Sequence, residues 1–442
     1  MNPDATIIKA VERLDYRATV GDVAAQAGID INLAQQGLLV LASAASGHLQ
    51  VAESGEVVYV FPKNIRSILL NKSLRLRLKQ GLATFWQALF YFIRLSFGIV
   101  LILLIVLAIV AIGILIVAIS SSRGSNNDDR DNSFGGGGFF YLPRLWFGPD
   151  LYWMFSPNYQ TRQHGRQRAR DVEGSQMNFL EAIFSFLFGD GNPNTDLEER
   201  RWQTVAMVIR NHRGAVTAEQ ISPYLDKIGQ GFDQEYEAYM LPVLTRFAGQ
   251  PEVSPEGDIV YRFPELQTSV AQTHTKSVAA YLKETPWRFS QASSGQVLLS
   301  AGLGAVLFVL SLVLNSMAWG QIAGLSTSIV AFIHIIAWLS LAYSVAYLAI
   351  PLLRYFWVQW RNRRIEARNE TRQARAIALN EADAALQKKL AYAQQFASET
   401  IVQDKDIVYT TERDLTEQEL ERSAQIDQEW QQRLNQTQNR EH

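Results

Sequence analysis

Three long apolar segments constrain the fold of this 442-residue chain more than any other feature. They occupy residues 82–119, 296–317 and 328–351, and the first is unbroken Val, Leu, Ile and Ala from Val100 to Val110. A helix needs about 20 mostly apolar residues to cross the hydrocarbon layer of a bilayer. The first segment opens with aromatic residues, which is typical of a membrane interface. The sequence therefore predicts a mainly α-helical membrane protein with three transmembrane helices.

One short pattern occurs on both sides of the first apolar segment. Residues 55–62 read Gly-Glu-Val-Val-Tyr-Val-Phe-Pro, and residues 257–264 read Gly-Asp-Ile-Val-Tyr-Arg-Phe-Pro. Each copy closes a stretch of helix caps, helical apolar spacing and alternating strands, an order that is typical of a winged helix. We therefore predict two winged-helix modules, at residues 1–65 and 196–268.

Helix-capping residues support both modules. In the first, Asp4, Thr19 and Asp30 stand before three helical stretches. In the second, Thr217 opens a capping-box pattern, and we predict the third helix over residues 232–247. We expect the two modules to pair within the chain. The aromatic residues that we predict to pack the modules are Tyr59, Phe61, Tyr261 and Phe263.

The third helix of a winged helix is the one that reads DNA, through side chains on base edges. In the first module this helix carries Asn32, Gln35 and Gln36 but no Lys or Arg. In the second, residues 233–237 are acidic and Arg246 is its only cation. Because cation–phosphate contacts drive nucleic-acid affinity, we expect protein partners and not nucleic acid.

Residues 120–195 predict a linker rich in glycine and aromatic residues. The run Gly135–Gly138 predicts a flexible hinge. After it, residues 139–155 are aromatic, and we interpret them either as a segment in the lipid headgroup region or as a packing element beneath the second module. The arginines that we expect at the membrane surface are Arg162, Arg166, Arg168 and Arg170.

Residues 356–442 predict a charged, mainly helical C-terminal region. Its apolar stripe includes Leu386, Leu390 and Ala393 and is too short for a coiled coil, so we expect it to pack against a module. Residues 406–410 alternate like a strand, and a last polar helix starts near Thr416.

Charges outside the spans predict their orientation. Only basic charges lie between Lys63 and Arg94, and arginines dominate just after residue 351. The positive-inside rule then places the N- and C-terminal regions on the cytoplasmic side. A single crossing at 82–119 would separate the two modules, whereas a hairpin there would keep them together. The sequence leaves this choice open, and we expect both modules on one side.

The chain has no cysteine, which excludes disulfides, thiolate zinc sites and cysteine-held iron–sulfur clusters. His334 lies inside the third apolar segment, where it could ligate haem or the magnesium of chlorophyll, or hydrogen-bond a neighbouring helix. No other histidines pair at metal spacing, and no catalytic fingerprint occurs. We expect no catalytic residues, no metal site and no bound cofactor.

Three segments resemble a family of membrane proteins from cyanobacteria and plastids. They are Phe-Phe-Tyr-Leu at 139–142, Asn-Phe-Leu-Glu-Ala-Ile-Phe-Ser-Phe-Leu-Phe-Gly-Asp-Gly-Asn-Pro at 178–193 and Glu-Glu-Arg-Arg-Trp at 198–202. The resemblance implies a cyanobacterial thylakoid or plasma membrane. Plant members of that family carry a chloroplast address and the label of iron–sulfur cluster biosynthesis. Without cysteines, a role of that kind here would be a supporting one.

Three hypotheses about function follow from these features. The leading one is a membrane-anchored, non-catalytic protein-interaction scaffold or assembly factor for a photosynthetic-membrane complex. The first alternative is a membrane-tethered winged-helix transcription regulator. The second alternative is a haem or chlorophyll carrier that uses His334.

Overall fold

A computed structural model of the chain describes residues 4–72, 74–123, 177–226, 228–229, 231–270, 277–319 and 326–438. The described chain forms two compact units. The first, which we call the module unit, draws on Met1–Leu78, Asn194–Thr285 and Ile365–His442. The second, which we call the helical unit, draws on Lys79–Pro193 and Pro286–Arg364.

The first module has seven elements at the N-terminal end of the module unit. They are α1 (Ala5–Arg13), β1 (Arg17–Ala18), α2 (Val20–Ala27), α3 (Ile31–Ala45), β2 (His48–Ala52), β3 (Val57–Val60) and α4 (Ile65–Lys72). Its first three helices begin at the predicted caps. The Asp4 and Asp30 carboxylates accept backbone N–H groups, while Thr19 and Asp22 form a reciprocal capping box. The short strand β1, which pairs with β3, was not predicted from the sequence.

The second module repeats this order with a longer first helix and shorter later helices. Its elements are α7 (Leu197–Asn211), β4 (Ala215–Val216), α8 (Ala218–Ile221), α9 (Phe232–Glu235), α10 (Leu241–Phe247), β5 (Gln250–Val253), β6 (Ile259–Arg262), α11 (Pro264–Gln267) and β7 (Thr268–Ser269). The prediction of one helix over residues 232–247 is wrong. Glu237 has a left-handed backbone with φ of 51°. Pro242 lies in the first turn of α10, where it has no N–H to continue an earlier helix.

The C-terminal region adds strands to both modules. Its elements are α14 (Ala384–Gln394), β8 (Thr400–Ile401), β9 (Ile407–Thr410) and α15 (Leu415–Gln438). β9 pairs antiparallel with β2, which gives the first module a sheet of order β1-β3-β2-β9. β8 pairs parallel with β7, and the second module keeps its own sheet of order β4-β6-β5. The predicted strand at residues 406–410 is confirmed.

Three helices are long and apolar enough to cross a membrane by length and composition. They are α5 (Leu74–Arg123), α12 (Ser294–Ala318) and α13 (Thr327–Asn380), and the shorter α6 (Phe179–Phe188) packs among them. The hairpin alternative for residues 82–119 is wrong, because α5 is one continuous helix. The third span and the charged helix after it also form one helix, α13, which continues through Pro351.

Small side chains let the long helices of the helical unit approach closely. A Cβ added to Gly304 of α12 would lie 2.4 Å from Cδ1 of Tyr347 of α13. The Tyr347 hydroxyl donates to the Ser300 carbonyl oxygen at 3.1 Å. Close backbone approach and interhelical hydrogen bonds of this kind are what hold helices together in lipid, where apolar burial provides little driving force.

Candidate functional site

The two modules contact each other through a polar junction centred on Asp22 of α2. The Asp22 side chain is only 3% exposed and pairs with Arg210 of α7 at 2.8 Å. It also accepts the hydroxyl of Ser269 at 3.0 Å and the backbone N–H of Val270 at 3.2 Å. Because Asp22 also closes the capping box of α2, one carboxylate serves both the start of a helix and the contact between modules. We call this contact the module junction.

Close backbone packing surrounds the module junction. A Cβ on Gly21 would lie 1.9 Å from the carbonyl oxygen of Glu265, so only glycine fits there without a backbone shift. Arg246 donates to the carbonyl oxygen of Gly28 at 2.7 Å, and its guanidinium lies 4.2 Å from the ring centroid of Trp202. Arg246 is the one cation in residues 232–247, the stretch predicted as the third helix of the second module. Its guanidinium therefore binds within the chain.

A cluster of arginines and carboxylates ties the C-terminal part of α13 to the second module. Arg372 is 2% exposed and pairs with Asp226 and with Glu284, the latter at 2.8 Å. Arg368 adds a two-pronged contact to Glu284, and Arg201 pairs with Asp226. Burial raises the pKa of each carboxyl, but hydrogen bonds and charges from the arginines outweigh it, so both pKa values are lowered. We call these five residues the arginine cluster.

Lys389 of α14 is buried between two carboxylates of the second module. Its Nζ lies 2.8 Å from Glu219 and 2.5 Å from Glu237. Burial lowers the pKa of this ammonium, but hydrogen bonds and charges from the two glutamates outweigh it, so the net pKa is raised. The Tyr261 hydroxyl donates to the same Glu237 at 2.8 Å, and burial followed by that contact raises the pKa of Tyr261. Ion pairs as well as packing thus hold α14 against the second module.

The four aromatic residues of the repeated strands lie inside their own modules. Tyr59 and Phe61 belong to the core of the first module, at 3% and 5% exposure. Tyr261 and Phe263 belong to the core of the second, at 3% and 0%. Ala25 of α2 belongs to the first module by sequence but packs with the second module's core.

The outward face of α3 is uncharged and partly apolar. Leu33 and Leu39 are 50% and 47% exposed, and Asn32, Gln35 and Gln36 are exposed beside them. A groove-reading helix would carry cations on this face to meet phosphate and base edges. An uncharged face with two exposed leucines is better suited to contact another protein than to contact DNA.

His334 is half-buried in α13, next to the buried Ile333 and near the buried Ile336. Within the described parts of the chain, no group of three or more His, Cys, Asp or Glu side chains could hold a metal ion. The carrier hypothesis for His334 stays a prediction. The hinge Gly135–Gly138, the aromatic segment 139–155 and the four arginines Arg162, Arg166, Arg168 and Arg170 lie outside the described residues.

Sequence reasoning missed Asp22, the arginine cluster and Lys389 as contact residues. Lys389 did carry a signal, because it stands three residues after Leu386 and four before Ala393, on the apolar stripe of α14. A charged residue on an apolar stripe needs a buried partner. The arginine cluster carried no such signal, since its members are far apart in the chain and look like ordinary surface charges.

Comparison with known proteins decides the family. A protein of Arabidopsis thaliana described as "Uncharacterized protein At5g03900, chloroplastic" is 36% identical over 424 residues, which cover 93% of this chain and 79% of the plant protein. The chain belongs to the family of this chloroplast protein. The resemblance to plastid members of a family is therefore confirmed. The iron–sulfur label stays a prediction, since nothing in that description mentions such a role.

Neither a family model nor a solved structure matches the chain. The assignment of the two modules to the winged-helix fold therefore stays a prediction, although the order of helices and strands fits it. The family and the three apolar helices together fit a membrane of plastid type.

Proposed function

We propose that this protein is a membrane-anchored, non-catalytic scaffold or assembly factor that binds protein partners of a photosynthetic-membrane complex. The observation that carries the proposal is the uncharged outward face of α3, with Leu33 and Leu39 about half exposed. The module junction is consistent with it, because Asp22 and Ala25 of α2 contact the second module whereas Leu33 and Leu39 of α3 stay exposed.

The proposed location is an integral membrane position, in a cyanobacterial thylakoid or plasma membrane, with the N- and C-terminal regions cytoplasmic. Three long apolar helices and the chloroplastic relative support the membrane part. The basic residues on the N-terminal side of α5 and after residue 351 of α13 support the orientation.

The transcription-regulator alternative requires cations on the third helix of a module. Within the described residues, α3 has none, and Arg246 of the second module is bound to Gly28 and stacked on Trp202. Binding of DNA would therefore have to use a surface other than the usual reading helix.

The test is photo-crosslinking in the native membrane. A photoreactive amino acid is placed at Leu33 or at Leu39, and the matched control is the same group at Lys9, an exposed residue of α1. We expect Leu33 and Leu39 to give adducts with subunits of one membrane complex, identified by mass spectrometry, and Lys9 to give none. Equal adducts from all three positions would contradict α3 as the docking face. Adducts with DNA or nucleoid proteins would instead support the regulator.

A further inference from the structure

The helical unit contains a pocket of about 410 Å³ beside the point where α13 leaves its apolar span. Leu353, Arg354 and Trp357 line it from α13, just beyond Pro351. Trp287 and Arg288, which precede α12, and Phe188 at the end of α6 also line it. Arginine and tryptophan at the end of an apolar helix are the residues that occupy the interface of a bilayer.

The tryptophan wall of this pocket is held in place. The Asn362 side chain donates to the carbonyl oxygen of Trp287 at 2.9 Å and accepts its backbone N–H at 2.8 Å. Trp287 and Trp357 meet edge to face, with ring centroids 5.1 Å apart. The Arg361 guanidinium lies 4.9 Å from the Trp287 ring and 5.3 Å from the Trp357 ring. A pocket with a fixed wall loses little conformational entropy when a ligand enters.

The pocket carries a positive charge that the protein does not use. Arg354 is occupied by the carbonyl oxygens of Ser185 and Phe186 at the C-terminal end of α6. Arg288 is exposed, and within the described residues it makes no hydrogen bond or ion pair. The Asp190 carboxylate is the acidic group of the lining, and it already accepts the Ser185 hydroxyl at 2.6 Å and lies 3.6 Å from Arg94.

We propose that this pocket binds the acidic headgroup of a membrane lipid. The phosphate ester would lie against the guanidinium group of Arg288, and the acyl chain would follow the apolar side chain of Leu353 along α13. The tryptophan rings would flank the glycerol region. This inference rests on the membrane position given in the proposed function, and it adds a ligand class to the helical unit.

The test uses the full chain, purified and placed in nanodiscs that contain equal amounts of phosphatidylglycerol and phosphatidylcholine. Native mass spectrometry then counts the lipids that stay bound. We expect phosphatidylglycerol to be retained in preference, and Arg288→Gln to weaken its retention about fivefold. Arg363→Gln, which removes the charge of an exposed arginine of α13 outside the pocket lining, is expected to have no effect. Arg288→Lys is expected to keep most of the preference.

Three results of the lipid count would overturn the proposal. The first is equal retention of the two lipids, and the second is an equal effect of Arg288→Gln and Arg363→Gln. The third is displacement of phosphatidylglycerol by millimolar inorganic phosphate, which would indicate a site for free phosphate. A chain that fails to enter nanodiscs would refute the membrane position as well. A loss of crosslinks at α3 leaves this measurement unaffected, so the two proposals fail separately.

Discussion

At the scale of single residues, buried charges join separate elements of the module unit, whereas the repeated aromatic residues pack inside the core of each module. Lys389 reaches two glutamates from an apolar stripe, and Asp22 joins two modules while capping a helix. Removing one partner of a buried ion pair leaves the other charge without compensation, which costs more than the pair itself contributes.

Replacing Lys389 by methionine tests this at one position. Glu219 and Glu237 would remain with no cation between them, and we expect a loss of about 2–3 kcal/mol in the stability of the module unit. Thermal melting of the purified chain measures it. Lys388→Met is the matched control, because Lys388 is the exposed neighbour on the same helix. Equal melting temperatures for both variants would show that the contact is not stabilising.

The carboxyls of the arginine cluster predict an acid-sensitive stability. Because the folded pKa values of Asp226 and Glu284 are lowered, their stabilisation is complete above their ordinary values near 4 and is lost as pH falls through the lower folded values. Glu284→Gln should therefore lower stability at pH 7 and flatten its decline between about pH 4 and pH 2. Melting temperatures over this range measure it. If the melting temperature falls equally steeply with pH in Glu284→Gln and in the exposed control Glu366→Gln, Glu284 is not a source of the acid sensitivity.

At the scale of elements, the two copies of the module differ in whether their outer sheet edge accepts another strand. In the first copy, Leu49 exchanges hydrogen bonds with Thr411, and the Glu53 N–H donates to Asp406. The same register in the second copy places Pro251 and Pro255 at these positions. Proline has no N–H to donate, so β5 cannot accept a strand as β2 accepts β9. Two prolines thus direct the C-terminal strand to the first module.

Leu49→Pro transfers this block to the first module. The substitution removes the backbone N–H that donates to the Thr411 hydroxyl. The pairing of β2 with β3 stays in place, because the backbone N–H and carbonyl of Leu49 point toward β9 and not toward β3. We expect faster hydrogen exchange at residues 407–411, measured by mass spectrometry. Leu49→Ala keeps the N–H and serves as the control. If both variants exchange at the wild-type rate, the edge contact does not hold β9.

At the scale of the whole molecule, contacts within the module unit hold the two modules together. Asp22 and Arg210 belong to different modules and lie 2.8 Å apart within one compact unit. This contact supports the expectation that the modules share one side of the membrane. That expectation stays a prediction, because α5 is one continuous helix and the hairpin suggested for residues 82–119 does not occur.

The absence of native cysteine makes this topology directly measurable. Single cysteines at Ser43 and Glu256 report on the two modules, and one at Trp319 reports on the end of α12. We expect an impermeant maleimide to label Ser43→Cys and Glu256→Cys from one side of sealed vesicles and Trp319→Cys from the other. Labelling of the modules from opposite sides would contradict the module junction. Labelling of all three from one side would contradict a crossing by α12.

Local patterns in the sequence were enough to predict several elements of this protein. Apolar length predicted the three long helices, and capping residues predicted where α1, α2 and α3 begin. These features could be recognised because their physical cause, the thickness of a bilayer or an unpaired N–H at a helix end, acts over a few residues to a few turns.

Contacts between distant residues were visible in the folded structure and not in the sequence. It brought β9 to β2, Arg372 to Asp226 and Glu284, and Arg210 to Asp22. It also showed that α5 is one helix and that residues 232–247 are not. Such contacts depend on burial and on partners far apart in the chain, and a charged residue in sequence looks the same whether it ends in water or opposite a buried carboxylate.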